Sequence, residues 1–262
     1  MSTVAQAART VLEAREPLAK VRLAREAARA WRRGTLAHAF DVPMPDAPAR
    51  PDRPELLPPN RMPKRGQGSE RGRIALLHAL AHIEFAAIDL AFDCAGRFGA
   101  AFPRGFVDDW FGVGADEAMH FALLHRRLRT LGSGYGELPA HAGLWEAAAA
   151  TAGDVMGRLA VVPMVLEARG LDVTPDTVAR FLSAGDDPSA RILHRIYTDE
   201  IRHVGTGVKW FGAGAAAVGL EPAPLWRDKV RRYFRGALKP PFNNSARSQA
   251  GLTREYYSLI AC

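Results

Sequence analysis

The sequence predicts an all-α fold whose centre is a bundle of four long helices. Three observations predict it. Apolar residues recur at spacings of three and four through most of residues 71–212, the period of a helix with one buried face. Residues that start and stop helices punctuate that stretch at intervals of one helix length. No run of alternating apolar and polar residues reads as a strand.

The elements follow in chain order. Residues 1–42 form an N-terminal helical segment, rich in Ala and Arg and divided at Pro17. Its second piece carries Lys20, Arg22, Arg25, Arg29, Arg32 and Arg33, the pattern of a solvated amphipathic helix, or of a docking face for an acidic partner. Residues 43–70 form a strap. Eight prolines fall between Pro43 and Pro63, and proline, with no N–H and a fixed φ, rules out a helix or a central strand. Leu56, Leu57 and Met62 suit a strap lying on the protein better than a free tether.

Residues 71–212 hold the bundle. The first long helix is expected over 71–98, with Leu77, Ala81, Glu84, Ile88, Ala91 and Ala95 on one face. A Gly/Pro loop near 99–105 leads to a second helix over 106–131, ended by Gly132, whose face carries Phe106, Trp110, Glu117, His120, Leu124 and Leu128. A short helix over 142–151 sits in the long crossover. A third long helix over 153–169 is expected to stop at Gly170 and to kink at Pro163. Thr174-Pro175 should then cap and open a short helix, and Asp187-Pro188 the fourth long one in the same way. That last helix carries Ile192, Ile196, Glu200, His203 and Gly207 on one face. Residues 213–262 supply a basic helix at 222–237 and a tail, with Trp226, Val230, Tyr233 and Phe234 as an apolar stripe that docks on the bundle.

Bulk properties narrow the function classes. At 262 residues and 48% hydrophobic, the chain buries a sizeable core as one large domain with helical additions. The net charge of +7 favours acidic partners such as nucleic acid or an anionic protein, although a basic surface also serves solubility alone. Cys94 and Cys262 are the only cysteines and have neither zinc nor redox spacing. A reducing, cytoplasmic compartment is therefore expected. The N-terminus lacks a signal-peptide core. No run of about 18 consecutive apolar residues occurs, so no membrane span is expected.

The chemistry lies in an order of residues: Glu84; then Glu117 and His120; then Glu167; then Glu200 and His203. Each falls on a predicted long helix, on its apolar face. Positions three apart on a helix share a side, so the Glu and His of each Glu-x-x-His reach one metal ion. A lone Glu from each of the other two helices completes or bridges a pair of ions, the ligand set of dinuclear carboxylate bundles. Four carboxylates offset two divalent ions, and buried without metal they would be costly. With 13 Glu and 8 His in the chain, chance supplies about 0.4 such pairs, so one motif alone is weak. Two pairs, each the same interval after a lone Glu (84 to 117, 167 to 200), are far more specific. Glu84 and Glu117 also lie about 16 residues either side of the first loop, which sets both roughly 24 Å from the turn of a helical hairpin.

Neighbouring residues complete the expectation. Asp116 and Asp199 precede the two Glu-x-x-His glutamates and are expected to orient the histidine of the opposite helix, with Arg202 tying that shell together, because a ligating imidazole needs its second N–H held. His78 and His82 flank Glu84 and are read as core or supporting histidines, and Cys94 as a small core residue. Gly205 and Gly207 either open room beside His203 or permit close helix packing.

On these residues the chain resembles the ferritin-like di-metal superfamily, and more closely a bacterial family of uncharacterised ferritin-like proteins. The resemblance is carried by PARPDRPELLPPNRMPKR, RIALLHALAHIEFAAIDLAFD, DEAMHFALLHRRL, EARGLDVTP, IYTDEIRHVGTGVKWF and PPFNNSARSQAG, which span most of the chain. The ligand order is also similar to that of bacterial tRNA hydroxylases acting on prenylated, methylthiolated adenosine. DEIRH is similar to the Asp-Glu-x-Arg-His of bacterial di-iron monooxygenases. The resemblance implies a ferritin-like four-helix bundle holding two iron ions, or manganese or a mixed pair, on Glu84, Glu117, His120, Glu167, Glu200 and His203. It implies an oxidoreductase that uses dioxygen or peroxide and an electron donor to hydroxylate or oxidise an organic substrate, a modified tRNA nucleoside among the candidates. The alternative is a metal-handling or peroxide-scavenging protein with no organic substrate. Fold resemblance transfers the ligands and not the substrate.

Overall fold

The computed structural model describes residues 2–63 and 69–260. The part of the expected strap at 64–68, and Cys262, lie outside the described residues. Among the described residues the regular structure is helical, and β pairing is limited to two isolated bridges, Thr3 with Ala37 and Leu56 with Ala140. The chain divides into two compact units, Met1–Trp145 and Glu146–Cys262.

In the first unit, Thr3 opens α1 (Val4–Leu12) with a capping box, its hydroxyl accepting from the Gln6 N–H while the Gln6 side chain accepts from its own N–H. Pro17 starts α2 (Pro17–Arg32), where its missing N–H costs nothing. The core of the unit is α3 (Glu70–Phe98) and α4 (Gly105–Thr130). Phe92 meets Phe111 at 4.8 Å and Phe85 meets Phe121 at 5.3 Å between ring centroids, so the two helices run antiparallel. Gly114 allows the close approach, since a Cβ there would lie 2.5 Å from the Phe92 ring. All six residues expected on the inner face of α3, and all six on that of α4, are buried. Gly132, at φ +74°, follows α4, and the Ser133 N–H bonds back to the Leu128 carbonyl, as expected of a helix-ending glycine.

α3 is long and apolar enough to cross a membrane by composition, yet 67% of its most apolar window is buried inside the protein, which marks it as a core helix. α2 packs on α4 through Trp31, whose indole N–H donates to Asp108 at 2.7 Å. The expected solvated basic face of α2 holds for Arg22, Arg25, Arg29, Arg32 and Arg33, which are exposed. It fails for Lys20, which is fully buried and paired with Asp89 of α3. The pairing explains the burial, because neither charge enters the core alone.

The strap lies on this unit and is tied by its carbonyls, the groups that proline leaves available. Pro43 O accepts from Arg9, Pro45 O from Arg97, Asp46 O from Trp145 and Ala49 O from Lys20. Near its end, Leu57 and Glu55 exchange backbone bonds with Ala140 at 2.8 and 2.9 Å.

The short helix α5 (Gly143–Ala150) falls where the crossover helix is expected. In the second unit, Asp154 caps α6 (Val155–Val161), accepting from the Gly157 N–H. At Pro163 the chain widens into a π-helical turn over Val162–Glu167, which accommodates the lost N–H, a device common at functional sites.

The helix does not stop at Gly170, and Thr174-Pro175 opens no new one: α7 (Ala168–Ser183) runs through both. Tertiary contacts override the local signals. Pro175 cannot donate to the Leu171 carbonyl, and the Asn243 amide does so instead, at 3.2 Å. Asp172, one turn before Pro175, is held by Arg247 and by the Asn243 N–H.

α8 (Asp187–Ala217) follows. Its cap is Asp186, whose carboxylate accepts from the Ser189 N–H at 3.1 Å, so Asp187 and Pro188 are its first two helical residues and Asp187 is not the cap. α8 also runs beyond 212, to Ala217. α9 (Pro222–Tyr233) ends before the expected 237, and buries Trp226 and Val230. The tail forms α10 (Asn244–Gln249) and α11 (Arg254–Tyr257), with Leu252 and Tyr257 buried.

Candidate metal centre

Six residues are candidates, three in each unit. In the first, α3 supplies Glu84 and α4 supplies Glu117 and His120, all buried. His120 Nδ1 lies 3.2 Å from a Glu84 oxygen and 3.3 Å from a Glu117 oxygen. One ligand atom from each residue falls within 4.8 Å of the other two. The antiparallel register of α3 and α4 therefore brings the lone Glu to the level of the first Glu-x-x-His, at the depth counted from the loop.

Charge is crowded in this cluster. Burial, then the neighbouring charge of Glu117, pushes Glu84 well above the usual carboxylate range. Burial opposes a charge on His120, but hydrogen bonds and the charges of Glu117 and Glu84 outweigh it and raise the imidazole to about 11. Two carboxylates and one imidazole are thus held in a space with almost no water to screen them.

In the second unit, α8 carries Glu200 and His203 three residues apart, with His203 Nδ1 3.4 Å from a Glu200 oxygen. His203 is buried and Glu200 nearly so. Glu167, half-buried, is the last residue of the π-helical turn. That turn packs on α8 at Gly207, one helical turn beyond His203. A Cβ on Gly207 would lie 2.5 Å from the Pro163 ring. Gly207 therefore serves close packing, whereas a Cβ on Gly205 would meet only Ala250 at 3.5 Å.

Asp199 is buried, and its carboxylate accepts from Arg195 at 2.6 Å and from Arg202 at 2.8 Å, both on its own helix. Asp116 is half-buried beside Glu117 on α4. His78 and His82 have partners in the loop after α4. The Gly136 N–H donates to His78 Nε2 at 2.9 Å. His82 Nε2 lies 3.2 Å from the His141 carbonyl, to which it can only donate, so His82 Nδ1 accepts from the Tyr135 hydroxyl at 2.9 Å. The two histidines pin the segment 135–141 to α3, and Cys94 is a buried core residue.

Sequence reading missed the Lys20–Asp89 pair and the Arg247–Asp172 pair, both almost fully buried. The signal for the first was present: Asp89 interrupts the apolar run AAIDLAF, and an acid there needs a cation.

Residues 13–258 match the family model described as protein of unknown function (DUF455). An uncharacterized protein of Haemophilus influenzae is 42% identical over 225 residues, covering 84% of this chain and 78% of the relative. No solved structure matches the chain.

Proposed function

The chain belongs to the DUF455 family, and within that family we propose that it is a ferritin-like di-metal oxidoreductase whose two Glu–Glu–His sets together hold a pair of metal ions. The observation that carries this reading is the buried cluster of Glu84, Glu117 and His120, with ligand atoms inside 4.8 Å. The same residue types recur in the same order in Glu167, Glu200 and His203. The donor set fits: carboxylate oxygen and imidazole nitrogen suit iron and manganese alike. Two adjacent buried carboxylates share one imidazole and call for further positive charge, and Lys20, the one buried lysine among the described residues of that unit, is already committed to Asp89.

A pair of irons bound there would supply the redox chemistry for reducing dioxygen while an organic substrate is oxidised. The protein's own part is positional. α3 and α4 fix Glu84, Glu117 and His120 at one depth, and burial excludes bulk water from them. The π-helical turn that ends at Glu167 packs on α8 at Gly207, one helical turn beyond His203. Asp199, one residue before Glu200, is braced by Arg195 and Arg202 of the same helix.

Elemental analysis of the full chain, purified without chelator, tests the reading. About two metals per chain are expected, with oxygen consumption after reduction. Glu117→Ala and Glu200→Ala should each abolish occupancy. Full occupancy in either variant, or no metal after reconstitution of the wild type, refutes the ligand assignment. Two metals with no oxygen uptake refutes the oxidoreductase and leaves a metal-handling protein.

A further inference from the structure

A second site lies in the first unit, where the strap crosses α3. It is a cavity of about 330 Å³, walled by Leu56, Phe85, Tyr135 and Trp145, with Arg50 and Asp89 among its polar groups. A cavity of that size takes a small organic molecule, and such sites combine apolar walls with a few fixed polar groups. Rings supply most of this wall. Phe85 and Tyr135 lie 5.5 Å apart between centroids, and Trp145 is fixed by its indole N–H on the Asp46 carbonyl.

The charges inside are not balanced evenly. Asp89 is neutralised by Lys20, which also donates to the Leu12 and Ala49 carbonyls at 3.5 and 3.3 Å. Asp52, at the rim, pairs with Arg15, and Glu55 is exposed to solvent. Arg50 is different. Its charge acts on Lys20, His82, Asp89 and Tyr135, so its guanidinium reaches inward, and it is half-buried. Among the described residues it makes no hydrogen bond or ion pair. A guanidinium is a rigid fork of donors matched to a carboxylate. Here it stands over an aromatic-lined cavity with its donors unused.

We propose that this cavity binds a small aryl carboxylate, its carboxylate on Arg50 and its ring between Phe85, Tyr135 and Trp145. The strap forms one side of the site, held in register by the Leu57–Ala140 and Ala140–Glu55 backbone bonds. The close approach of strap and loop depends on Gly136, at φ +102°, where a Cβ would come 3.2 Å from Arg53. The site uses none of the six candidate metal ligands, so it stands whether or not the metal reading does.

Calorimetric titration of the full chain with 2-naphthoate and with its neutral counterpart 2-naphthamide tests the proposal, with benzoate and phenylacetate as smaller probes. The carboxylates are expected to saturate at one per chain, with the amide at least tenfold weaker. Arg50→Gln should cost at least tenfold for naphthoate and nothing for the amide. Ala86→Trp, which fills the cavity from α3, should abolish both. The same titration after chelation should be unchanged. No saturable binding of any of the three carboxylates overturns the proposal, as does equal binding of naphthoate and naphthamide. Binding that disappears on chelation but survives Arg50→Gln places the carboxylate on the metal and also overturns it. Unchanged helical content by circular dichroism shows that each variant is folded.

Discussion

Replacing Lys20 by Met isolates the energetics of the buried charge in the first unit. The lysine is fully buried, its partner Asp89 is 3% exposed, and their side chains are hydrogen-bonded. Removing the cation leaves a carboxylate in the core, and the folded protein escapes that state by protonating it. Against an ordinary value of 3.8, the Asp89 carboxyl beside Lys20 already stands at about 6, and each further pH unit of forced protonation costs about 1.4 kcal/mol, so the added cost is limited to roughly 1.4 kcal/mol at pH 7 and roughly 2 kcal/mol at pH 7.5. That is less than the ~3–5 kcal/mol typical of breaking a buried pair on one side, because burial has already raised the carboxyl in the wild type. The double variant Lys20→Met/Asp89→Leu removes both charges and should recover most of the loss.

The pH dependence carries a second signature. Burial outweighs the pull of Lys20 and already raises Asp89 to about 6 in the folded wild type. A carboxyl with a raised folded value contributes its full stability below 3.8 and loses it as pH climbs through the folded value. In the wild type that loss is complete soon above pH 6. In Lys20→Met the folded value is higher still, so the loss continues through pH 7 and beyond. The difference between the two proteins should therefore be small near pH 4.5 and open above about pH 6. Urea unfolding followed by circular dichroism at pH 4.5, 6 and 7.5 measures it. A Lys20→Met penalty below about 1 kcal/mol at pH 7.5, or one equal at pH 4.5 and 7.5, refutes the reasoning.

Three further outcomes follow from named contacts. Gly207→Ala drives a Cβ into the Pro163 ring, which is fixed in the backbone; a loss of about 1–3 kcal/mol is expected, with weaker metal retention in equilibrium dialysis because the π-helical turn carries Glu167. Asn243→Ala removes the cap on the Ala246 N–H and the donor to the Leu171 carbonyl, for about 1–2 kcal/mol in chemical denaturation, and should raise amide exchange around Pro175. Chelation should lower the thermal midpoint of the wild type and leave Glu117→Ala unmoved, since a ligand present at about 1,000 times its Kd adds ~4 kcal/mol to the folded state; equal midpoints with and without chelator in the wild type would argue against a bound metal.

The two halves of the candidate centre were unequally legible in the sequence, and the reason is physical. α3 and α4 are joined by a short turn, so a count of residues from the loop fixes which side chains share a depth. Glu84 and His120 duly meet at 3.2 Å. Glu167 lies on a stretch that reads locally as a broken helix, with Pro163, Gly170 and Pro175 in thirteen residues. What carries the helix through is supplied from over seventy residues away: the Asn243 amide on the Leu171 carbonyl, and Arg247 on Asp172.

Local rules of helix stops assume that a lost backbone bond goes to water. Here a side chain takes it, and the rule fails for that reason alone. Lys20 fails as a surface residue in the same way. Its helix face reads as solvated, and only the partner at Asp89, on another helix, reverses the assignment. In each case a polar group drawn from distant sequence changes the local energy by more than the propensity that the local pattern expresses, about 1 kcal/mol or less per ordinary residue. Each Glu-x-x-His lies within one helix whatever the helix boundaries do, because its spacing depends on one turn of helix and a boundary depends on everything packed around it.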